Sequence, residues 1–396
     1  MTHTAGLILA AGLGRRFGGG KMLASVDGRP MLQHVLHVAA AAELDPVRVV
    51  LGDDAESVAP AMVWGEARHV RNLEPGRGLA SSLLVGLAEL TESDRVIVLL
   101  GDQPYLTVEQ VRTILAAERD PERPIVVPRY GGLPGNPVLL EREAFPLAAQ
   151  LAGDRGMSQL FGEHPELVRY VDIPGTNPDI DTTDDLATNH PSALVGQGYD
   201  ALGDRFAQWS NGIADPMRER LLAAFFERLP KDADVVDLGC GPGLGWTADL
   251  PGKIRYTGVD LSAVQLRAAQ SRVPDGRFIR ADMTTIDFSQ ASFDGVLALY
   301  SLNHLPAAAQ TQMVEMIGRW LRPNGVMLAT FPMSGVSAWR GEWLGVPMFF
   351  GGQKIEAIRA SMARADLEIL VDEEVETQEP EGSVRFLWVL AKLSRA

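Results

Sequence analysis

A short apolar run that stops dead at small residues sets what the first half of this chain can become: Leu7, Ile8 and Leu9 lead directly into Ala10, Ala11, Gly12 and Gly14. An unbroken apolar run suits a strand buried on both faces of a parallel sheet. Beyond it the backbone of residues 6–21, GLILAAGLGRRFGGGK, is almost bare. Bare backbone after a strand lets N–H groups approach a phosphate or a base, and Arg15, Arg16 and Lys21 bring positive charge to the same loop. Lys21 is the only lysine between residues 1 and 190. A lysine is a compact charge on a flexible stem, able to follow a phosphate whose charge changes during reaction. Met22 follows it where the Walker loop requires Ser or Thr, so this is a different phosphate loop.

The remainder of this half reads as an α/β alternation. Residues 30–44 carry apolar side chains at helical spacing and 47–51 give a second buried strand. His34 and His37 lie three apart on that helix without an acidic companion, so a structural or surface role is expected for both. Residues 76–86, GRGLASSLLVG, form a small-residue turn that opens a helix near Ser81 or Ser82 and offers N–H groups to a ligand. Residues 95–100, RVIVLL, end at Asp102, and a carboxylate at the C-terminal end of a buried parallel strand sits where open α/β sheets bind ligands. Strands are also expected at 125–128 and 171–172. Asp181, beyond the latter, can supply a second carboxylate to a metal ion, and it reads equally as the N-cap of a helix starting near Thr182.

Small polar residues with Pro191 and two glycines over 187–198 read as a linker, with 189–198 taken as the seam between domains. Helices follow at 199–209 and 217–229. A strand at Val235 and Val236 then ends in DLGCGPG, residues 237–243, whose glycines let a tight turn pass close to a ligand. A strand over 256–259 ends at Asp260, placed to accept hydrogen bonds from ribose hydroxyls, and a further strand edge carries Asp282 beside Met283. Three acids on successive strand ends would repel a pyrophosphate and suit a cationic or zwitterionic adenosine ligand. His304, after the fourth strand, reads either as a general base facing substrate or as packing beneath the sheet edge. The aromatic segment 334–352 reads as a lid, as core, or as both; a helix near 355–365 and strands at 368–372 and 384–390 close the chain.

The totals narrow the function classes. The net charge of −15 is spread as −10 over residues 1–190 (16 Lys+Arg against 26 Asp+Glu) and −5 over the remainder (20 against 25). Neither half carries a broad basic surface, so small molecules rather than nucleic acid are the expected substrates. No apolar run approaches the length of a membrane span and no signal segment leads the chain, so a cytoplasmic location is expected. Cys240 is the single cysteine, which excludes an internal disulfide; its place inside the glycine turn suits burial rather than nucleophilic chemistry.

Five ordered motifs, LAAGLGRRFGGGK, GLASSL, LLGDQPYLT, YGGLPGNPVLL and DIDTTDDL, closely resemble the nucleotidyltransferases that mature molybdenum cofactor, over about residues 4–188. The resemblance implies an α/β domain that moves CMP or GMP from a Mg2+-bound triphosphate onto molybdopterin and releases pyrophosphate. It implies Leu9, Ala10, Ala11, Gly12, Gly14, Asn72, Ser81 and Ser82 as nucleotide contacts and Arg16 and Lys21 on the triphosphate. Asp102 and Asp181 become the Mg2+ ligands, with Arg16, Lys21 and Asp102 catalytic. The alanine form at Ala10 and Ala11 is similar to the cytidine branch, which points to CTP, with GTP or another phosphorylated acceptor as the alternative. Residues from about 196 resemble class I S-adenosylmethionine-dependent methyltransferases acting on small molecules. That implies cofactor contacts from Asp237, Gly239, Cys240, Gly241, Gly243, Asp260, Leu261, Asp282 and Met283, with Tyr199 and His304 at the methyl-transfer site. The expectation is two doubly wound, Rossmann-like α/β domains at 1–188 and 199–396. Their joint reading is a bifunctional enzyme using Mg2+, CTP and S-adenosylmethionine, with molybdopterin and an unidentified methyl acceptor as substrates and a molybdoenzyme as recipient. A non-catalytic cofactor carrier is the rival from a different class.

Overall fold

β1 (Thr4–Ala10) is the axis of the first unit. Ala5, Leu7 and Leu9 face one core layer, Ile8 and Ala10 face the other, and all five are buried. The sheet is completed by β2 (Val47–Leu51), β3 (Arg68–Arg71), β4 (Arg95–Leu100), β5 (Ile125–Tyr130), β6 (Val138–Glu141) and β7 (Val168–Ile173). Their order is β7-β5-β6-β4-β1-β2-β3, with the short strand Leu133–Pro134 paired to β5. β6 runs antiparallel to both β4 and β5 and the remaining pairs of this path are parallel, so the sheet is mixed rather than wholly parallel. α1 (Met31–Ala41) packs on one face, α2 (Leu79–Ala88) on the other, and α3 (Val108–Leu115) joins α1. α2 sits so close that a Cβ on Gly86 would stand 2.2 Å from Cδ1 of Leu7. The computed structural model describes residues 4–148, 150–151, 153, 157–243, 254–333 and 338–394, in two compact units, 1–189 and 190–396.

The stretch expected to be a linker is helical. α4 (Thr183–Asn189) ends the first unit and α5 (Pro191–Leu202) opens the second, with His190 between them. Pro191 takes the first helical turn, where its missing N–H costs nothing. The glycines serve packing rather than flexibility. A Cβ on Gly196 would lie 3.3 Å from Leu261 Cβ, and one on Gly198 would lie 2.9 Å from the Pro347 carbonyl oxygen. The helix expected over 199–209 is broken at Gly203, whose φ of 52° suits glycine, and resumes as α6 (Asp204–Asn211).

After α7 (Pro216–Phe226) the second sheet is built from β8 (Asp234–Leu238), β9 (Arg255–Asp260), β10 (Arg277–Arg280), β11 (Phe293–Ala298) and β12 (Leu321–Pro332). β13 (Trp339–Trp343) and β14 (Val346–Phe350) pair as a separate two-stranded hairpin. β15 (Leu367–Glu379) and β16 (Gly382–Leu393) are an antiparallel pair much longer than the sequence indicates. The large sheet runs β10-β9-β8-β11-β12-β16-β15, parallel through β12 and antiparallel beyond. Trp320, Trp388, Phe225 and Phe331 are fully buried around it. Of the aromatic segment 334–352, residues 334–337 lie outside the described residues; the rest is the hairpin, packed on α5. Among the described residues no helix is long and apolar enough to cross a membrane.

Candidate functional site

Two sites emerge, each at the C-terminal edge of its parallel strands. In the first unit the loop after β1 turns by left-handed glycines: Gly14, Gly18, Gly19 and Gly20 have φ of 54°, 86°, 97° and 63°. A side chain at these positions would be strained, which explains a glycine run this dense. The loop delivers Lys21, which is buried, toward two carboxylates. Lys21 Nζ donates to Asp102 Oδ2 at 2.6 Å and to Asp181 Oδ1 at 2.9 Å, and Arg16 pairs with Asp181 Oδ2 at 2.8 Å from an exposed position. Burial disfavours the charge on Lys21, but Asp102 and then Asp181 outweigh it, and its pKa stands above the ordinary 10.5.

Backbone contacts explain how residues so distant in sequence meet. Gly101 N donates to Leu9 O at 2.8 Å, and a Cβ on Gly101 would lie 2.9 Å from Ala10 Cβ, so only glycine lets β4 bring Asp102 against the loop. Ile180 is fully buried and its N–H donates to the Asp102 carbonyl at 3.0 Å, which carries Asp181 to the same place. The N-cap role read for Asp181 belongs instead to Thr182. Thr182 Oγ1 accepts from Asp185 N at 3.0 Å, while Asp185 Oδ2 accepts from Thr182 N at 2.8 Å. Asp181 is thereby left free to meet Lys21 and Arg16.

Leu9, Ala10 and Ala11 are buried at the strand end and Gly12 is exposed in the loop. Asn72, Ser81 and Ser82 come together: Asn72 Nδ2 donates to Ser81 Oγ at 2.8 Å and to Ser82 Oγ at 3.0 Å, closing the turn that opens α2. His34 is bonded to the Val26 carbonyl and His37 to Arg29, as structural histidines would be. Gln103, which sequence reasoning left unassigned although it stands in the same motif as Asp102, donates to Asp179 Oδ1 at 2.8 Å.

The donor set suits Mg2+. Lys21 Nζ already occupies a cation position between two carboxylates, and Mg2+ takes one or two carboxylates and completes its shell with phosphate oxygens and water. Among the described residues no group of three or more His, Cys, Asp or Glu could hold a metal ion, so such external oxygens would be needed.

In the second unit, β8 ends in a turn where Gly239, Gly241 and Gly243 have φ of 73°, 55° and 63°. A Cβ on Gly239 would collide with Ser301 Cβ at 2.4 Å. Asp260, at the end of β9, accepts from Gly241 N at 2.9 Å and from Ser262 N at 2.8 Å, pinning the turn to the neighbouring strand. Burial pushes the Asp260 carboxyl up despite these donors. Asp237 is pushed up to about 7 by burial, against the bond from Tyr256 OH at 2.8 Å. Cys240 is buried and its thiol is pushed well up by burial, then by Asp237, which leaves it unreactive. Asp282 accepts from Thr284 N and Thr284 Oγ1, Leu261 packs on Gly196, and Met283 lies against Gly239.

A group the sequence reading missed is Ser301. Its Oγ is buried beside Gly239 with no hydrogen-bond partner among the described residues, and the preceding Tyr300 holds a left-handed φ of 54°. Strain of this kind persists where surrounding structure enforces it, here by Tyr300 N donating to Thr330 Oγ1 and Tyr300 OH to Asp215. A bare glycine turn, a buried carboxylate and an orphaned hydroxyl together fit a polar adenosine ligand such as S-adenosylmethionine.

Of the two roles read for His304, the geometry favours packing. Its Nδ1 donates to the Phe349 carbonyl at 2.8 Å, which leaves Nε2 to accept from Tyr199 OH at 2.8 Å. Burial lowers its pKa to about 4, so it is a neutral ring that orients Tyr199.

Comparison with known proteins assigns each unit to a kind of domain. Residues 6–168 match the MobA-like NTP transferase domain and residues 235–325 match a methyltransferase domain. The nicotine blue oxidoreductase of Paenarthrobacter nicotinovorans is 30% identical over 192 residues, 46% of this chain and 93% of that protein. The solved structure of Rv0371c from Mycobacterium tuberculosis H37Rv is 32% identical, with a TM-score of 0.43, covering 47% of this chain and 96% of that one. A solved S-adenosylmethionine-dependent methyltransferase from Methanosarcina mazei is 14% identical with a TM-score of 0.38, covering 46% of this chain and 98% of that one. Through its first half this chain belongs to the MobA-like NTP transferase family, and it joins to that domain a second one of methyltransferase type.

Proposed function

We propose that the first domain transfers CMP from CTP to molybdopterin and that the second methylates a small molecule with S-adenosylmethionine. The observation that carries the first assignment is the Lys21 ammonium set between Asp102 and Asp181 at the mouth of the glycine loop. An oxygen of the acceptor phosphate attacks the α-phosphorus of CTP, the bond to the β-phosphate breaks, and pyrophosphate leaves. Asp102 and Asp181 would hold Mg2+, which would supply positive charge at the transferring phosphate. Lys21 follows the charge as it moves onto the leaving group, and Arg16, exposed at the loop, closes on the outer phosphates. The bare backbone at Ala10 to Gly12 excludes bulk and admits the base. The cytidine preference rests on the Ala10-Ala11 form of the loop, and the finished cofactor would pass to a molybdoenzyme.

In the second domain, Asp260 would hold the ribose hydroxyls and Asp282 the adenine, and the turn from Gly239 to Gly243 would take the amino-acid end. S-adenosylmethionine supplies an electrophilic methyl group; the protein supplies alignment and a dry site.

Pyrophosphate release by the purified protein with Mg2+ and molybdopterin, compared across CTP, GTP, ATP and UTP, tests the first assignment. CTP should be preferred, and Lys21→Ala or Asp102→Ala should lower turnover by about 100-fold or more. Equal turnover with all four nucleotides, or retained turnover in either variant, overturns it. Release with a sugar phosphate in place of molybdopterin would reassign the acceptor.

A further inference from the structure

Beside the glycine turn of the second unit four aromatic side chains meet, three of the contacts edge to face and that of Phe206 with Trp209 stacked. Tyr199 lies 4.8 Å from Phe206, Phe206 lies 6.1 Å from Trp209, Trp209 lies 5.1 Å from Trp343, and Trp343 lies 6.2 Å from Tyr199, all between ring centroids. The ring closes on itself. Each of the four keeps part of its surface exposed, unlike Trp320 and Trp388 in the core.

Position ties this cluster to methyl transfer. Phe206 Cε1 lies 3.6 Å from where a Cβ on Gly241 would stand, and Tyr199 is held by His304 within reach of the charge on Asp260. The opposite rim is acidic. Glu381 Oε2 accepts from Trp209 Nε1 at 3.1 Å, and the neighbouring Glu379 is half-buried, its charge reaching both Tyr199 and Tyr300. Ring faces carry negative quadrupole, so they and the two carboxylates act in the same direction: they attract a cation and repel phosphate or carboxylate.

We infer that the partly exposed faces of Tyr199, Phe206, Trp209 and Trp343, with Glu379 beside them, form the methyl-acceptor site, and that its substrate is a basic amine, bound as its cation and methylated on nitrogen. This rests on the methyltransferase reading above. The ammonium gives its proton to Glu379, whose carboxyl burial and then Glu381 push up to about 7. The freed nitrogen lone pair then forms the N–CH3 bond as the C–S bond breaks, its electron pair staying on the sulfur of S-adenosylhomocysteine. An acceptor whose reacting end carries phosphate is disfavoured, so the two domains need not act on the same molecule.

The test is tryptophan fluorescence of the full chain, pre-loaded with S-adenosylhomocysteine, titrated with benzyltrimethylammonium, benzyl alcohol and benzoate. The quaternary cation should bind about tenfold more tightly than the neutral probe and benzoate should bind least, in line with a desolvated cation–π site. Trp209→Phe should preserve most of this preference, whereas Trp209→Ala and Glu379→Gln should each weaken the cation about tenfold and leave S-adenosylhomocysteine affinity, read by calorimetry, unchanged. Benzoate binding as well as the cation, or variants that bind the cation like the parent, overturns the inference while leaving the methyltransferase reading standing. A parent protein that fails to bind S-adenosylhomocysteine overturns both.

Discussion

Replacing Lys21 by methionine keeps the bulk of the side chain and removes its charge, leaving Asp102 and Asp181 facing one another with the exposed Arg16 as partner. Breaking a fully buried pair costs about 3–5 kcal/mol and breaking an exposed one under about 1 kcal/mol. The Lys21 side chain is 9% exposed, but Asp102 and Asp181 are 24% and 32% exposed, so water screens part of the loss. The expected cost is therefore about 2–3 kcal/mol, which for a unit of this size lowers its midpoint by roughly 4–12 °C. Because the Lys21 pKa is raised, its contribution is full below the ordinary value and is lost only as pH climbs through the raised one, so a measurement at pH 7 captures all of it.

Scanning calorimetry of the full chain is the assay, with S-adenosylhomocysteine added to mark the transition of the second unit. Lys21→Met should shift the other transition. Adding Mg2+ should then restore more stability to the variant than it adds to the parent, because the vacated position between the carboxylates accepts a divalent ion. Lys21→Met combined with Asp102→Asn should recover about 1 kcal/mol or more relative to additivity and lose the Mg2+ response. A single variant as stable as the parent, or Mg2+ gains equal in all three proteins, would show that the three side chains do not form one cation-holding cluster.

Glu141 is wholly buried, accepts from Arg169 at 2.7 Å and lies 3.7 Å from Arg119, so Glu141→Gln should cost about 2–4 kcal/mol in urea unfolding of the first unit. Gly239→Ala should destabilise the second unit by about 2 kcal/mol or more in the same assay and weaken cofactor binding, since it adds a left-handed alanine and a 2.4 Å contact with Ser301. The Asp237 carboxyl rises from 3.8 to about 7, so its contribution to stability is full below 3.8 and is lost as pH rises through 7. At about 1.36 kcal/mol per pKa unit this amounts to about 4 kcal/mol at most, and Asp237→Asn should flatten the fall in stability between about pH 4 and 7; an unchanged pH profile counts against the buried, protonated form.

What the sequence disclosed and what it hid divide along the range of the interactions involved. The strand and loop of residues 4–21 follow from rules acting over a few residues, apolar continuity and the conformational freedom of glycine, and they stand where the residues point. Asp260 and Asp102 were legible for the same reason, each closing a strand. The partnerships were not: Lys21 meets Asp181 across 160 residues and Tyr199 meets His304 across 105, and no local pattern records such pairings. The misread linker shows the limit from the other side. Gly196 and Gly198 look like flexibility in a sequence, yet they lie in a helix against which neighbouring elements pack closely, tightly at Gly196 and too closely for a side chain at Gly198. The same proximity seats Tyr199 in the aromatic cluster proposed above as the acceptor site, so the residues that look like a tether instead position that side chain. Lengthening this segment by inserted residues should therefore disturb acceptor binding before it disturbs nucleotidyl transfer, an order of loss that a freely jointed tether would not produce.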